Sequence, residues 1–492
     1  MFEQYLNTIG EYGTITELQH PLITIKGLPH AHPNEMLIFE NGQIGQVYAI
    51  NEFSLFALVY SQKPVSLQSK VTRTNLTMAI PTSYNLLGKV IDPLTNVLSG
   101  TSSNIADAKP ELRDLFIAAP GMSSRIPIST QFLTGVTKVD LLIPLGYGQR
   151  ELILGDVKTG KTMFLIRTII NQAKLRDSII IFAAIGKKRT EIITLYDYFL
   201  KEGIMDRVCI VASTASDIAS TVYLNPYTAM TLAEYFRDKG HNVLVILDDL
   251  TTHAQRYREI SLKSRSFPGR ESYPGDIFYT HASLLERAGN YKHETKGTVS
   301  ITCLPVAMTT EGDLTGYIST NLMSMTDGHI FFDSDIYNKG ERPAINIPLS
   351  VTRVGRQAQS PLGQEINRTI LSTISDYEKI SNIAYLGSEL SEVSKNMLTR
   401  GEALMNILNQ DLLVDLPYEL QILLFGLIWI DAIDLSGNKS YTNLLTELRK
   451  IYTDENKLVV IKSMLNLATL KEYLDELKKD QQLLDICKTV KL

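Results

Sequence analysis

Cysteine is scarce in this chain. Cys209, Cys303 and Cys487 lie far apart and form no C-x-x-C pair. That excludes a disulfide-stapled scaffold and paired thiolates for zinc, and leaves buried, reduced thiols as the expectation. Histidine offers no metal pattern either. His241, His253, His281 and His293 show no ligand spacing tied to cysteines or acids, so helix and surface roles are expected. Basic charge is not in excess. The 48 lysines and arginines face 53 acids, for a net charge of −5, so nucleic acid is excluded as a default partner. A long apolar run is missing too. The longest, around Leu420 to Ile433, falls short of the roughly 20 residues a membrane span needs and reads as a buried helix. The start, Met1-Phe2-Glu3-Gln4-Tyr5, lacks the basic-then-apolar order of a secretory signal. These absences describe a cytoplasmic chain that meets a membrane only through other proteins.

The 492 residues are 44% hydrophobic and 21% charged, an ordinary globular composition in a chain long enough for several domains. Residues 1–80 read as a small closed β-barrel. Ile23-Thr24-Ile25, Met36-Leu37-Ile38-Phe39, Val47-Tyr48-Ala49-Ile50 and Leu55-Phe56-Ala57-Leu58-Val59 are short strand-like runs, and Asn41-Gly42 is a hairpin signal. Residues 81–360 alternate strands with helices, the pattern of a mainly parallel sheet covered on both faces. Candidate strands are 151–154, 179–183, 208–211, 243–247 and 298–304. Residues 361–492 are helical by periodicity. Ile366, Ile370 and Ile374 form an apolar row at spacing four, and Pro417 starts a helix.

The chemistry concentrates in Gly155-Asp156-Val157-Lys158-Thr159-Gly160-Lys161-Thr162. This is the phosphate-cradle pattern G-x-x-x-x-G-K-[ST], preceded by a buried strand and followed by an Ile- and Leu-rich helix over 163–172. Glycines let backbone N–H groups turn toward phosphate oxygens, and the helix N-terminus adds positive potential. Lys161 reaches the terminal phosphates, and the Thr162 hydroxyl suits Mg²⁺. A second signal is Val243-Leu244-Val245-Ile246-Leu247-Asp248-Asp249, an apolar strand ending in two acids. In a P-loop protein the first such acid, here Asp248, serves Mg²⁺. The expected ligands are ATP or ADP with Mg²⁺.

Further segments resemble the α subunit of F-type rotary ATPases. They are Leu87-Gly88-Lys89-Val90-Ile91-Asp92-Pro93-Leu94, Thr134-Gly135-Val136-Thr137-Lys138-Val139-Asp140 and Pro144-Leu145-Gly146-Tyr147-Gly148-Gln149-Arg150, then Glu234-Tyr235-Phe236-Arg237-Asp238, Pro268-Gly269-Arg270-Glu271-Ser272-Tyr273-Pro274-Gly275-Asp276, Gly340-Glu341-Arg342-Pro343-Ala344-Ile345-Asn346 and Ser350-Val351-Thr352-Arg353-Val354-Gly355. The resemblance covers nearly the whole chain. It implies a ring in which α-type subunits alternate with catalytic β-type subunits around a γ-like central shaft. Both types bind nucleotide and only β sites turn over. After the second strand the β pattern has Gly-Glu-Arg, its Glu polarising the attacking water, and the α pattern has Gln before Lys-Arg. This chain has Gly186-Lys187-Lys188-Arg189. A lysine is no base toward water at neutral pH without a large pKa depression. Phosphate contact and a solvent-facing Lys187 remain open, and either implies a subunit that binds without efficient hydrolysis.

The resemblance also implies that Arg353 acts in trans, as an arginine finger on the neighbouring β site, with Ser350 supporting its loop. Such fingers contribute on the order of 10³–10⁵ in rate. It further places Tyr337, Arg342 and Gln410 near adenine. Departures are the short segment before Glu11-Tyr12-Gly13-Thr14, which leaves the stator contact open, Val157-Lys158 in place of Arg-Gln in the cradle, and Thr352 in place of Ser. With the abundance of Ile, Lys, Asn and Tyr, they suggest a divergent F-like paralogue of the kind found in wall-less bacteria. The rival readings are an independent hexameric ATPase of the secretion or flagellar-export type, which should carry the missing Glu, a nucleic-acid translocase, which should carry an aromatic, basic face, and a pure scaffold that has lost nucleotide binding, against which the intact P-loop argues.

Overall fold

Alternating apolar and polar residues over the first eighty positions curl into a barrel. The computed structural model describes residues 1–61, 63, 65–100, 109–175, 178–264, 267–385, 391–412, 414–433, 438–452, 455–481 and 483–484. Cys487 lies outside them. Six strands close in the order β1-β2-β5-β4-β3-β6: β1 Tyr12–Gln19, β2 Leu22–Lys26, β3 Glu35–Phe39, β4 Ile44–Ile50, β5 Leu55–Val59 and β6 Lys70–Thr77. Their inward residues, among them Ile15, Ile23, Ile25, Leu37, Phe39, Val47, Ala57 and Val71, fill the interior. The hairpin expected at Asn41-Gly42 joins β3 to β4, with Gly42 at φ 81°. The barrel interior is packed with side chains.

By contact the chain forms two units. One holds residues 1–127, 148–154 and 173–327, and the other 128–147, 155–172 and 328–492. Besides the barrel, the first contains a sheet ordered Glu151–Gly155, Gly297–Met308, Asn242–Asp248, Ser178–Lys187, Val208–Thr214, Lys89–Ile91, Val97–Gly100. Its central pairings are parallel. Each expected strand is present. The outermost pair at Lys89–Ile91 is an addition, because a three-residue strand carries too little periodicity to read. Ile180, Ile181, Leu244, Val245 and Ile246 are fully buried, as strands covered on both faces require.

One buried ion pair in this unit joins Glu234 to Arg287. Glu234, in one of the family-like segments, accepts from Arg287 Nε at 3.0 Å, and Arg287 also donates to Leu115 O at 2.8 Å. Cys209 and Cys303 are fully buried, and burial pushes both thiols up to about 12, so they stay protonated.

In the second unit the apolar row becomes the buried edge of Pro361–Tyr385, where Ile366 and Ile370 are covered and Ile374 is partly so. Pro417 caps Tyr418–Trp429, whose residues 420–428 are all buried. No helix among the described residues is long and apolar enough to cross a membrane.

Two histidines that sequence spacing kept apart meet in the first unit. His253 Nδ1 lies 3.1 Å from His281 Nε2, and His253 Nε2 lies 3.1 Å from Tyr223 O. A carbonyl only accepts, so His253 donates through Nε2 and receives His281 Nε2–H at Nδ1. Both rings are fully buried. Burial pushes His253 down to about 4 despite its carbonyl partner, and holds His281 well below the usual range. A folded-state value under the unfolded one (~6.5) makes stability complete above pH 6.5 and lost as pH falls toward 4. His253 alone accounts for about 3 kcal/mol of that loss. The urea midpoint should be flat from pH 8 to 7 and fall steadily below about 6.5. A flat profile down to pH 5 would show that the pair is not buried neutral.

Candidate functional site

The cradle is assembled by backbone constraint. The buried strand Glu151–Gly155 runs into it and the helix Lys161–Leu175 leaves it, three residues longer than expected at its end. Gly155 has φ 148°, and a Cβ there would meet Phe332 O at 2.4 Å, so only glycine fits. Gly160 is also left-handed, at φ 96°, and so is Lys158, at 69°. Inside the turn, Thr159 Oγ1 donates to Asp156 O at 2.8 Å, and Asp156 Oδ2 accepts from Ser334 Oγ at 2.9 Å. The Lys161 ammonium, 8% exposed in total, donates to Gly155 O and Asp156 O, each at 2.6 Å. Val157, Lys158 and Thr162 face outward. A fixed cation and the amino end of a fifteen-residue helix thus stand at one loop, the arrangement that binds phosphate.

The adenine candidates cluster in the same unit. Ser334 opens the helix Ser334–Asn338, which carries Tyr337. The Arg342 guanidinium lies 3.6 Å from the Tyr337 ring centroid, and its Nη1 donates to Tyr337 O at 2.8 Å. Arg342 O accepts from Gln410 N at 2.7 Å. Gln410, 2% exposed, has both ends of its amide engaged. Its Oε1 accepts from Thr137 N and Thr137 Oγ1, and its Nε2 donates to Gly135 O at 3.0 Å. Gln410 therefore fastens residues 134–140. Asp140 fastens them from inside, accepting from Thr134 N, Thr134 Oγ1, Gly135 N and Gln421 Nε2.

Arg353 is exposed just beyond the strand Val351–Thr352. Its neighbours are anchored. Thr352 Oγ1 donates to Pro144 O at 2.9 Å, and a Cβ on Gly355 would fall 1.7 Å from the same oxygen. Ser350 ties the loop down, accepting from Phe331 N at 3.0 Å and donating to Asn346 O at 2.6 Å.

In the first unit, the parallel register pairs Ala184 with Asp248 and so brings two strand ends side by side. Lys187 Nζ donates to Asp248 Oδ1 at 2.6 Å and to Asp249 Oδ2 at 3.3 Å. Asp249 Oδ1 caps the helix Leu250–Lys263 by accepting from Thr252 N at 2.7 Å. Burial opposes the lysine charge, yet the two carboxylates outweigh it and hold the ammonium above the usual lysine range. Lys187 is a cation at neutral pH and not a base. Neither of the two placements left open by sequence, toward solvent or toward phosphate, describes it as well as this ion pair.

The nucleotide-binding-domain model of the ATP synthase alpha/beta family matches residues 135–352, and the family's C-terminal-domain model matches residues 359–481. A curated relative named ATP synthase subunit alpha, from Neorickettsia sennetsu, is 36% identical over 95% of this chain and 94% of its own length. One of the same name from Orientia tsutsugamushi is 36% identical over 95% and 93%. The chain belongs to the ATP synthase alpha/beta family. Its alignment with alpha subunits over 95% of its length agrees with the order of barrel, α/β core and helical segment. Lys187 and its two acids form a grouping no linear motif records, because Lys187 and Asp248 are sixty-one positions apart.

Gly155 gives the cradle its sharpest test. Gly155→Ala should lower the unfolding free energy by about 1–3 kcal/mol and weaken nucleotide binding, measured by urea titration and calorimetry. Gly160→Ala, where nothing lies within 4 Å, should cost only the left-handed backbone strain.

Proposed function

We propose that the chain is the non-catalytic, nucleotide-binding subunit of a hexameric rotary ATPase, and that it lends Arg353 to an adjacent catalytic subunit. ATP or ADP binds at residues 155–162, with Tyr337 and Arg342 beside the base. Backbone N–H groups and Lys161 hold the phosphates. β-type subunits alternate with this chain, and its C-terminal helices face a γ-like shaft. The observation that carries the non-catalytic reading is Lys187. It occupies the position at which the catalytic pattern has its water-polarising Glu, and it is engaged with Asp248 at 2.6 Å. No carboxylate at that position is available as a base.

The expected Mg²⁺ ligands divide. Thr162 offers an outward hydroxyl, but Asp248 already faces an ammonium, and no group of three or more His, Cys, Asp or Glu among the described residues could hold a metal ion. The acid does not fit a divalent ion as it stands, so binding is derived from the loop alone.

Arg353 supports the trans role by its exposure and by the anchoring of the residues around it. A planar, permanently charged fork suits the three equatorial oxygens of a transferring phosphoryl group. In the reconstituted complex, Arg353→Ala should lower turnover about 10³-fold or more and leave nucleotide binding to this chain intact. Lys161→Ala should instead abolish that binding. The purified chain should show negligible hydrolysis. Robust turnover by the lone chain would favour the independent-ATPase reading and overturn this one.

A further inference from the structure

Arg353 stands on an exposed return of the chain, and one side chain of the neighbouring strand reaches across to it. The strand Gly328–Phe332 pairs antiparallel with Val351–Thr352, with Gly328 opposite Thr352 and His329 opposite Val351. Alternation along the second strand returns to the face of Val351 at Arg353, two residues on. Leu349, Val351 and Arg353 are all exposed, so apolar burial does little to hold this stretch and hydrogen bonds must. Leu349 is held at both of its backbone groups. Its N–H donates to Asn346 Oδ1 at 3.1 Å, and its carbonyl oxygen lies 2.9 Å from His329 Nε2. A carbonyl only accepts, so Nε2 carries the ring proton. His329 Nδ1 is buried and has no hydrogen-bond partner among the described residues. A proton there would lack an acceptor, so the ring is neutral. Burial pushes its pKa below the usual histidine range. The Leu349 carbonyl opposes that shift, and the Arg353 guanidinium adds to it. The imidazole therefore gives the Leu349 carbonyl a donor without setting a second cation beside Arg353, as a lysine or arginine there would do.

We propose that His329 is a positioning residue for Arg353: its Nε2–H fixes the Leu349 carbonyl, and through that stretch of backbone it sets where the guanidinium stands. The inference rests on the reading of Arg353 as a finger for an adjacent catalytic subunit. It adds a residue that touches no nucleotide and acts on turnover only through Arg353.

The test is turnover by the reconstituted complex at varied ATP concentration. His329→Leu keeps most of the side chain's bulk and removes the donor. It should lower kcat about tenfold or more and change KM less than about twofold, because a misplaced catalytic group costs rate more than binding. His329→Gln supplies an amide N–H of similar reach and should restore kcat to within about threefold of the native value. In an Arg353→Ala background, His329→Leu should lower kcat by less than about a further twofold, since nothing is left to position. A general structural defect would lower kcat alike in both backgrounds. That result, or a native kcat in His329→Leu, would overturn the role of His329. If Arg353→Ala itself left turnover intact, the finger reading would fail instead. The native chain offers a check that needs no variant. With nitrogen-15-labelled histidine, His329 should show a neutral ring protonated at Nε2 at neutral pH. A ring protonated at Nδ1, or at both nitrogens, would overturn the proposal.

Discussion

A strand buried on both faces can carry charge only at its ends. Val243 to Leu247 and Ile179 to Ala184 are at most a few per cent exposed, so any ionised group there would lack both water and a partner. The polar chemistry of the sheet is therefore pushed to Lys187 and Asp248. The parallel register then brings these two ends together. A slip of one residue would send each side chain to the opposite face and dissolve the pair. Register, burial and ion pair are thus one constraint seen at three scales.

The same logic of excluded alternatives shapes the loops. Gly155 abuts Phe332 and Gly355 abuts Pro144, each so closely that a side chain has no room. These two contacts pin the start of the phosphate cradle and the loop of Arg353. Backbone fit sets both places, while the side chains of Thr162 and Arg353 face outward. Gln410 and Asp140 show the opposite use of polarity. They are buried and saturated with hydrogen bonds, and they hold residues 134–140 in place.

Much of the fold was legible because its signals are local. The barrel hairpin at Asn41-Gly42, the buried strands and the row from Ile366 to Ile374 each follow from spacing within one segment. The cradle was legible for the same reason, since strand, loop and helix are contiguous. Gln410 was harder to place. A glutamine near a loop has the same sequence appearance whether it faces a base or closes on Thr137, and only its partners distinguish the two. His253 and His281 likewise carry no linear pattern, because a shared hydrogen bond across 28 positions is set by packing.

The amino-acid sequence alone determined the family, the order of barrel, parallel sheet and helices, the G-x-x-x-x-G-K-[ST] loop, and a lysine at position 187. Each is written in neighbouring residues or in a fixed succession of motifs. Tertiary structure alone decided what that lysine does. A side chain's partner depends on which strand ends meet, and that is settled by the pairing of distant segments. The pairing turned Lys187 from an open substitution into a cation held between Asp248 and Asp249.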